Sequence, residues 1–159
     1  MGQPSISFTR GQGGLGRPLP GADYVSAFIV YIDTLPTGFG TDKIKNVKSI
    51  EEAEALGIIE GDATYGVLWY HVSEYFRIQP KGSLFIGIYA KPIDPSTHTF
   101  DEVELVQNFA ERQVRHATMY LDVPFLSTDL PKVQTVVTRL QAAEKPLNVL
   151  FAADIKLVT

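Results

Sequence analysis

Four apolar runs of strand length alternate with longer stretches of helical periodicity, and this alternation restricts the possible folds more than any other feature. The runs are 27–32, 84–89, 114–121 and 147–152, with a short extended piece at 44–47. Helices are predicted between them at about 49–57, 64–78, 101–111 and 127–144. Ser49 with Glu52 predicts a capping box at the start of the first helix, and Asp62 or Thr64 is the predicted cap of the second. Strand–helix–strand connections are right-handed crossovers. The sequence therefore predicts an α/β three-layer sandwich, with a mostly parallel sheet of four to five strands and helices on both faces.

Glycine and proline are concentrated at the start of the chain. Of 13 Gly and 10 Pro, six Gly and three Pro lie in residues 1–21, which also contain Arg10 and Arg17 but no acidic residue. The chain has a net charge of −4, so the residues after this segment carry −6. The sequence therefore predicts an extended Gly/Pro-rich arm at residues 1–21, followed by an acidic α/β domain at residues 22–159.

The arm contains a match to the dinucleotide-binding pattern G-x-G-x-x-G. Residues 11–16 read Gly-Gln-Gly-Gly-Leu-Gly and follow a predicted strand at 6–9. In a nucleotide site, this pattern opens a helix whose N-terminus faces the pyrophosphate. Here the next residues are Arg17-Pro18-Leu19-Pro20, which cannot continue a helix. The context therefore favours an arm over a nucleotide site.

Acidic residues follow three of the predicted strands, namely Asp33, Asp122 and Asp154. Ligands of doubly wound sheets bind at the carboxyl edge of the strands, and three converging carboxylates suit Mg²⁺. Aspartate is also common in strand-to-helix turns, where it caps the helix. Both interpretations stay open, and they leave a small Mg-dependent or nucleotide-binding α/β enzyme as the alternative function. No cofactor is otherwise predicted.

The composition argues against several other classes of protein. The chain has no cysteine, which excludes disulfides, thiolate zinc sites and a cysteine nucleophile. Its acidic balance argues against nucleic acid as a partner. It has no apolar stretch long enough for a membrane span, so we expect an intracellular protein without membrane contact. The histidines lack ligand spacing, and we expect His71 to be a structural imidazole and His98 to be solvated.

Aromatic side chains crowd the predicted helix at 64–78. The set comprises Tyr65, Trp69, Tyr70, Tyr75 and Phe76. Tyr70 falls away from the apolar stripe of this helix, and aromatic residues are enriched in the cores of protein interfaces. The pattern predicts a partner-facing surface at Trp69 and Tyr70, with a helix buried on two sides as the alternative.

Four stretches of the sequence resemble the N-terminal part of a prophage protein family. They are Gly11–Gly21, Glu52–Ile58, Tyr70–Arg77 and Leu150–Ala153. That family was long catalogued as a domain of unknown function and is related to contractile phage tail sheath subunits. The resemblance covers most of the 159 residues. Sheath subunits are usually much longer, so this chain resembles the N-terminal domain of a longer sheath-like protein.

The resemblance implies a structural role without catalytic residues. In such sheaths, subunits stack as rings around an inner tube, and extended arms add strands to neighbouring subunits. The expected partners are like sheath subunits, in a homo-oligomer on assembly, and a tail tube protein, with a monomer as the alternative for the isolated chain. The expected location is the cytoplasm during assembly and the virion tail afterwards. The residues predicted at the subunit interface are Arg10, Gly11, Gly13, Gly14, Arg17, Trp69 and Tyr70.

Overall fold

The computed structural model describes residues 24–124 and 128–154, and side chains at 95, 121–124 and 151–154 lie outside the description. The arm residues predicted at an interface, from Arg10 to Arg17, therefore lie outside the described residues. Five strands form one sheet: β1 Val25–Tyr31, β2 Ile44–Val47, β3 Ser83–Tyr89, β4 His116–Pro124 and β5 Asn148–Asp154. Four helices connect them: α1 Ile50–Ala55, α2 Gly66–Ile78, α3 Glu102–Phe109 and α4 Asp129–Ala142.

The strand order is β2-β3-β1-β4-β5. β1 pairs in parallel with β3 on one side and with β4 on the other, and β5 extends the sheet in parallel beyond β4. Only β2 runs antiparallel, at the edge next to β3. This arrangement confirms the predicted mostly parallel α/β sheet. It also creates a topological switch point between β1 and β4, where the connections leave in opposite directions along the sheet.

Side-chain hydrogen bonds lie at the start of α1 and in the turn before α2. The Ser49 hydroxyl accepts a hydrogen bond from the Glu52 N–H at 3.3 Å, and the Glu52 carboxylate accepts one from the Lys48 N–H at 2.8 Å. These contacts satisfy donors that a helix N-terminus leaves unpaired, and they confirm the predicted cap of α1. Asp62 Oδ1 accepts from the N–H groups of Thr64 and Tyr65 at 2.7 and 2.9 Å. The N-cap residue of α2 is Tyr65, without a side-chain cap hydrogen bond, so the prediction of Asp62 or Thr64 as its cap is wrong.

The two faces of the sheet are covered differently. On the first, which we call face B, α3 and α4 pack against residues that include Ile29, Tyr31 and Met119. On the opposite face, called face A, α1 and α2 pack against β2, β3 and β1. Over β4 and β5, face A is open among the described residues, because His116 is exposed there and Leu150 keeps 60% of its surface. We call this part the open half of face A.

The boundary of β4 differs from the prediction. β4 continues to Pro124, so Asp122 lies inside the strand instead of after it, while Asp154 is the last residue of β5. The pairing of β4 with β5 shifts in register between Leu121 and Pro124. This irregularity lets the strand continue through a residue that usually marks a turn. Among the described residues, no helix is long and apolar enough to cross a bilayer.

Candidate functional site

A groove of about 580 Å³ lies on face A at the switch point between β1 and β4. Its floor is formed by alternate residues of these strands, which include Phe28, Val30 and Tyr120. Phe28 is the register partner of Thr118, and Val30 is the partner of Tyr120, so the floor is continuous across the strand pair. Its volume falls in the range of ordinary ligand and peptide sites.

The wall of the groove comes from the first half of α2. Val67, Leu68 and His71 line this wall, and they recur at helical spacing. Leu68 is buried against the sheet, whereas Val67 keeps 55% of its surface and His71 is exposed. The exposure of His71 does not test the prediction that it is a structural imidazole, which stays a prediction. His71 contacts Tyr70 edge to face, with ring centroids 5.5 Å apart.

The mouth of the groove lies at the carboxyl end of β1 and is polar. Asp33 is exposed there, and its Oδ1 accepts a hydrogen bond from the Lys91 N–H at 3.0 Å. Thr34 lies beside it, and its hydroxyl is 3.1 Å from that of Tyr65. An apolar floor with a carboxylate at one end suits a ligand that has an apolar body and a basic group.

The three predicted metal ligands belong to the same edge of the sheet, and only the side chain of Asp33 lies within the description. Asp33 follows β1, Asp122 lies within β4, and Asp154 ends β5. Within residues 24–124 and 128–154, no group of three or more His, Cys, Asp or Glu side chains is arranged to hold a metal ion. The side chains of Asp122 and Asp154 lie outside the description. Magnesium binding by the three aspartates therefore stays a prediction.

The two aromatic residues predicted at an interface have different surroundings. Trp69 is half-buried, and its indole N–H donates to Glu54 Oε1 of α1 at 2.9 Å. Tyr70 projects away from the sheet and keeps 57% of its surface. Trp69 therefore joins α2 to α1, and Tyr70 is the more accessible of the two.

A buried polar cluster at the carboxyl ends of β1 and β3 has no counterpart in the sequence predictions. The Tyr31 hydroxyl donates to Glu102 Oε2 at 3.2 Å and lies 3.0 Å from His98 Nε2. Tyr31 is 1% exposed, and the His98 side chain keeps only 12% of its surface. The prediction of a solvated His98 is therefore wrong. Separations of 67 and 71 residues explain why local sequence carried no signal for these contacts.

This cluster makes stability depend on alkaline pH. Burial, and then the charge of Glu102, raises the pKa of the Tyr31 and Tyr89 hydroxyls well above the usual value. Tyrosines ionise in the unfolded chain near pH 10. The stabilisation that each protonated hydroxyl contributes is therefore fully present below about pH 10. Above that pH it falls by about 1.4 kcal/mol per pH unit for each tyrosine.

We expect Tyr31→Phe to lower the free energy of unfolding by about 1–2 kcal/mol at neutral pH, because the buried Glu102 contact is lost. The same variant should lose less stability than the parent between about pH 9 and 11, because one titrating group is gone. Urea unfolding across this range measures both effects. Parallel curves for parent and variant would contradict the assignment to Tyr31.

The two edges of the sheet differ in how they are protected. The edge strand β2 has four residues and carries Lys45 and Asn46. The other edge strand, β5, has seven residues, and its sequence Val-Leu-Phe-Ala-Ala contains no charge before Asp154. Natural edge strands are usually short or carry charges, because an unpaired edge recruits other strands. β5 lacks both kinds of protection.

In comparisons with known proteins, no family model, no curated protein and no solved structure matches this chain.

Proposed function

We propose that this chain is a structural assembly protein that resembles a contractile phage tail sheath subunit. It packs against like subunits, and the arm at residues 1–21 reaches a neighbour. The observation that carries the proposal is the long, uncharged edge strand β5, which pairs only with β4 among the described residues, together with the four sequence stretches that resemble the sheath-related family. A tail tube protein is the second proposed partner. Assembly takes place in the cytoplasm, and the virion tail is the final location.

The backbone of β5 is suited to accept an added strand. The Asn148 N–H donates inward to the Arg115 carbonyl at 2.9 Å. Because backbone groups alternate in direction along a strand, the N–H groups of Val149, Phe151 and Ala153 point to the outer edge. A strand added there would gain main-chain hydrogen bonds along the whole of β5, which is the recognition mode of strand addition.

The predicted strand at residues 6–9 of the arm supplies the strand that β5 lacks. Strand addition buries the uncharged edge of β5 and pairs its outward N–H groups, which removes an aggregation hazard. The basic arm also complements the net charge of −6 on the rest of the chain. These features favour an assembly role over the alternative of a small Mg-dependent enzyme.

A proline at the outer edge of β5 tests this proposal in the full-length chain. Ala153→Pro removes an outward N–H without removing a hydrogen bond to β4, so the fold should persist while strand addition is blocked. Asn46→Pro is the matched control, because its N–H points outward on the opposite edge, at β2. We expect parent and Asn46→Pro to form oligomers, rings or tubes, and Ala153→Pro to stay monomeric.

Sedimentation velocity at increasing concentration and negative-stain electron microscopy measure this outcome. Far-ultraviolet circular dichroism verifies that each variant is folded. A parent protein that stays monomeric throughout, or an Ala153→Pro variant that assembles like the parent, would overturn the proposal.

A further inference from the structure

We propose that the groove on face A binds the segment Arg17-Pro18-Leu19-Pro20 of a neighbouring copy. The proposal rests on the proposed function, because it takes a like subunit as the partner, and it assigns a second contact to the arm. The segment lies between the predicted strand at 6–9 and the start of β1. Three features argue for it: the lining of the groove, the charges at the mouth, and the length of the arm.

The lining of the groove suits a proline-containing peptide. Pro18 and Pro20 restrict φ and favour the extended polyproline II conformation, which loses little entropy on binding. Such segments dock in grooves with aromatic walls. Phe28 and Tyr120 provide aromatic surface on the floor, and His71 provides a ring on the wall. Leu19 and the two prolines together form an apolar body that matches this surface.

The charges at the mouth match the charge of the segment. Arg17 is the one ionisable residue of the segment, and Asp33 stands at the end of the apolar floor. One Asp33 oxygen already accepts from the Lys91 N–H, and carboxylates accept several hydrogen bonds, as in pairing with a guanidinium. Lys91 also lines the groove at this mouth. The backbones of Asp122 and Asp154 belong to the same edge of the sheet.

The length of the arm requires that the segment come from another copy. If residues 22 and 23 formed the tightest possible turn, Pro20 would lie level with Val25, and Arg17 would lie level with Phe28. Asp33 is five residues further along, or about 16 Å. This gap exceeds the reach of an arginine side chain. The Tyr75 hydroxyl, which donates to the Tyr24 carbonyl at 2.6 Å, also occupies face A at the start of β1.

The open half of face A connects the two proposed arm contacts on one recipient. The distance from the groove to the outer edge of β5 is about two strand spacings, or about 10 Å. The residues between the predicted strand at 6–9 and Arg17 are 10–16, which span up to about 24 Å when extended. Four of these seven residues are glycine, so the chain can lie close to the sheet.

Charge reversal in the full-length chain tests the contact between Arg17 and Asp33. Arg17→Asp and Asp33→Arg should each weaken self-association by about tenfold or more, because each places like charges together. An equimolar mixture of the two variants restores one native contact: the arm of the Asp33→Arg chain meets the groove of the Arg17→Asp chain. The other pairing in that mixture joins the introduced aspartate of one arm to the introduced arginine of the other groove, so opposite charges meet there too. We therefore expect association to recover in the mixture.

Sedimentation velocity of each variant alone and of the mixture gives the readout, with circular dichroism to verify folding. Asp33→Asn keeps an acceptor for the Lys91 N–H and should give an intermediate loss. Lys81→Asp is the control, because it makes a charge change of the same size at an exposed position outside the arm, the groove and β5. Its effect should be the smaller one.

The outcomes separate this proposal from the proposed function. If Ala153→Pro blocks assembly but Arg17→Asp and Asp33→Arg do not, the arm contact at β5 stands and the groove contact is wrong. If both reversals weaken association and the mixture does not recover, Arg17 and Asp33 do not pair directly, and the proposed groove contact is wrong. Recovery in the mixture, together with a weaker effect of Lys81→Asp, supports the groove contact.

Discussion

Gln107→Glu is expected to lower the free energy of unfolding by about 3–5 kcal/mol at neutral pH. The Gln107 side chain is 0% exposed, and its amide nitrogen donates to the carbonyls of Val114 and Lys145 at 3.1 and 3.2 Å. These carbonyls belong to the segments that precede β4 and β5. Glutamate would place a carboxylate against two carbonyl oxygens in a site without solvent. The contact therefore fixes the two strands that form the open half of face A.

The loss should depend on pH in a defined direction. Burial raises the pKa of a carboxyl group. The carboxylate of a glutamate at position 107 therefore binds a proton more tightly in the folded chain than in the unfolded chain. Stability of the variant is then greatest below the unfolded pKa of about 4.3 and falls as pH rises. Urea unfolding at acidic and neutral pH measures the difference between variant and parent.

Gln113→Glu is the matched control, because Gln113 is exposed four residues after the end of α3. The same chemical change there should alter stability by less than about 0.5 kcal/mol. Gln107→Met separates the lost hydrogen bonds from the buried charge, since it should destabilise the fold without the pH dependence. A deficit for Gln107→Glu that is small, or equal at both pH values, would contradict the assigned contacts.

Local sequence predicted the central elements of the fold well. The run at 84–89 became β3 at Ser83–Tyr89, because six successive apolar residues are typical of a strand covered on both faces. Ser49 and Glu52 predicted the start of α1 through their capping geometry. The end of β4 was predicted less well, because Asp122 suggests a turn and the register shift that carries the strand past it depends on β5.

The candidate site was predicted only in part. Asp33 was singled out by its position after β1, and it does lie at the mouth of the groove. The groove itself depends on the strand order, which places β4 beside β1. Within residues 24–124 and 128–154, no helix covers face A over β4 and β5. Strand order is set by contacts between distant segments, so local patterns do not determine it. The burial of His98 against Tyr31 has the same origin.

Gly87→Val is expected to destabilise the fold by about 3 kcal/mol. A glycine within the run 84–89 predicts close approach by a neighbouring element, and the structure supplies it. A Cβ atom at position 87 would lie 2.9 Å from Val106 Cγ2 of α3 and 3.0 Å from Tyr89 Cε2. Valine adds two methyl groups beyond that atom, in a core where Val106 is 1% exposed. Either α3 must move off the sheet or side chains must leave their preferred rotamers.

Gly66→Ala is the matched control for this overpacking. A Cβ atom there meets nothing closer than 3.7 Å, and Gly66 is the first residue of α2. Alanine should therefore leave stability unchanged or raise it by up to about 1 kcal/mol, because it favours the helix and restricts the unfolded chain. Thermal and urea unfolding of the two variants should thus shift in opposite directions. A Gly87→Val variant as stable as the parent would mean that α3 lies further from β3 than in this structure, where a Cβ atom at position 87 would be 2.9 Å from Val106 Cγ2. Such a result would also contradict the close packing of α3 on β3. The position of Gln107, which belongs to α3 and contacts the segments before β4 and β5, depends on that packing.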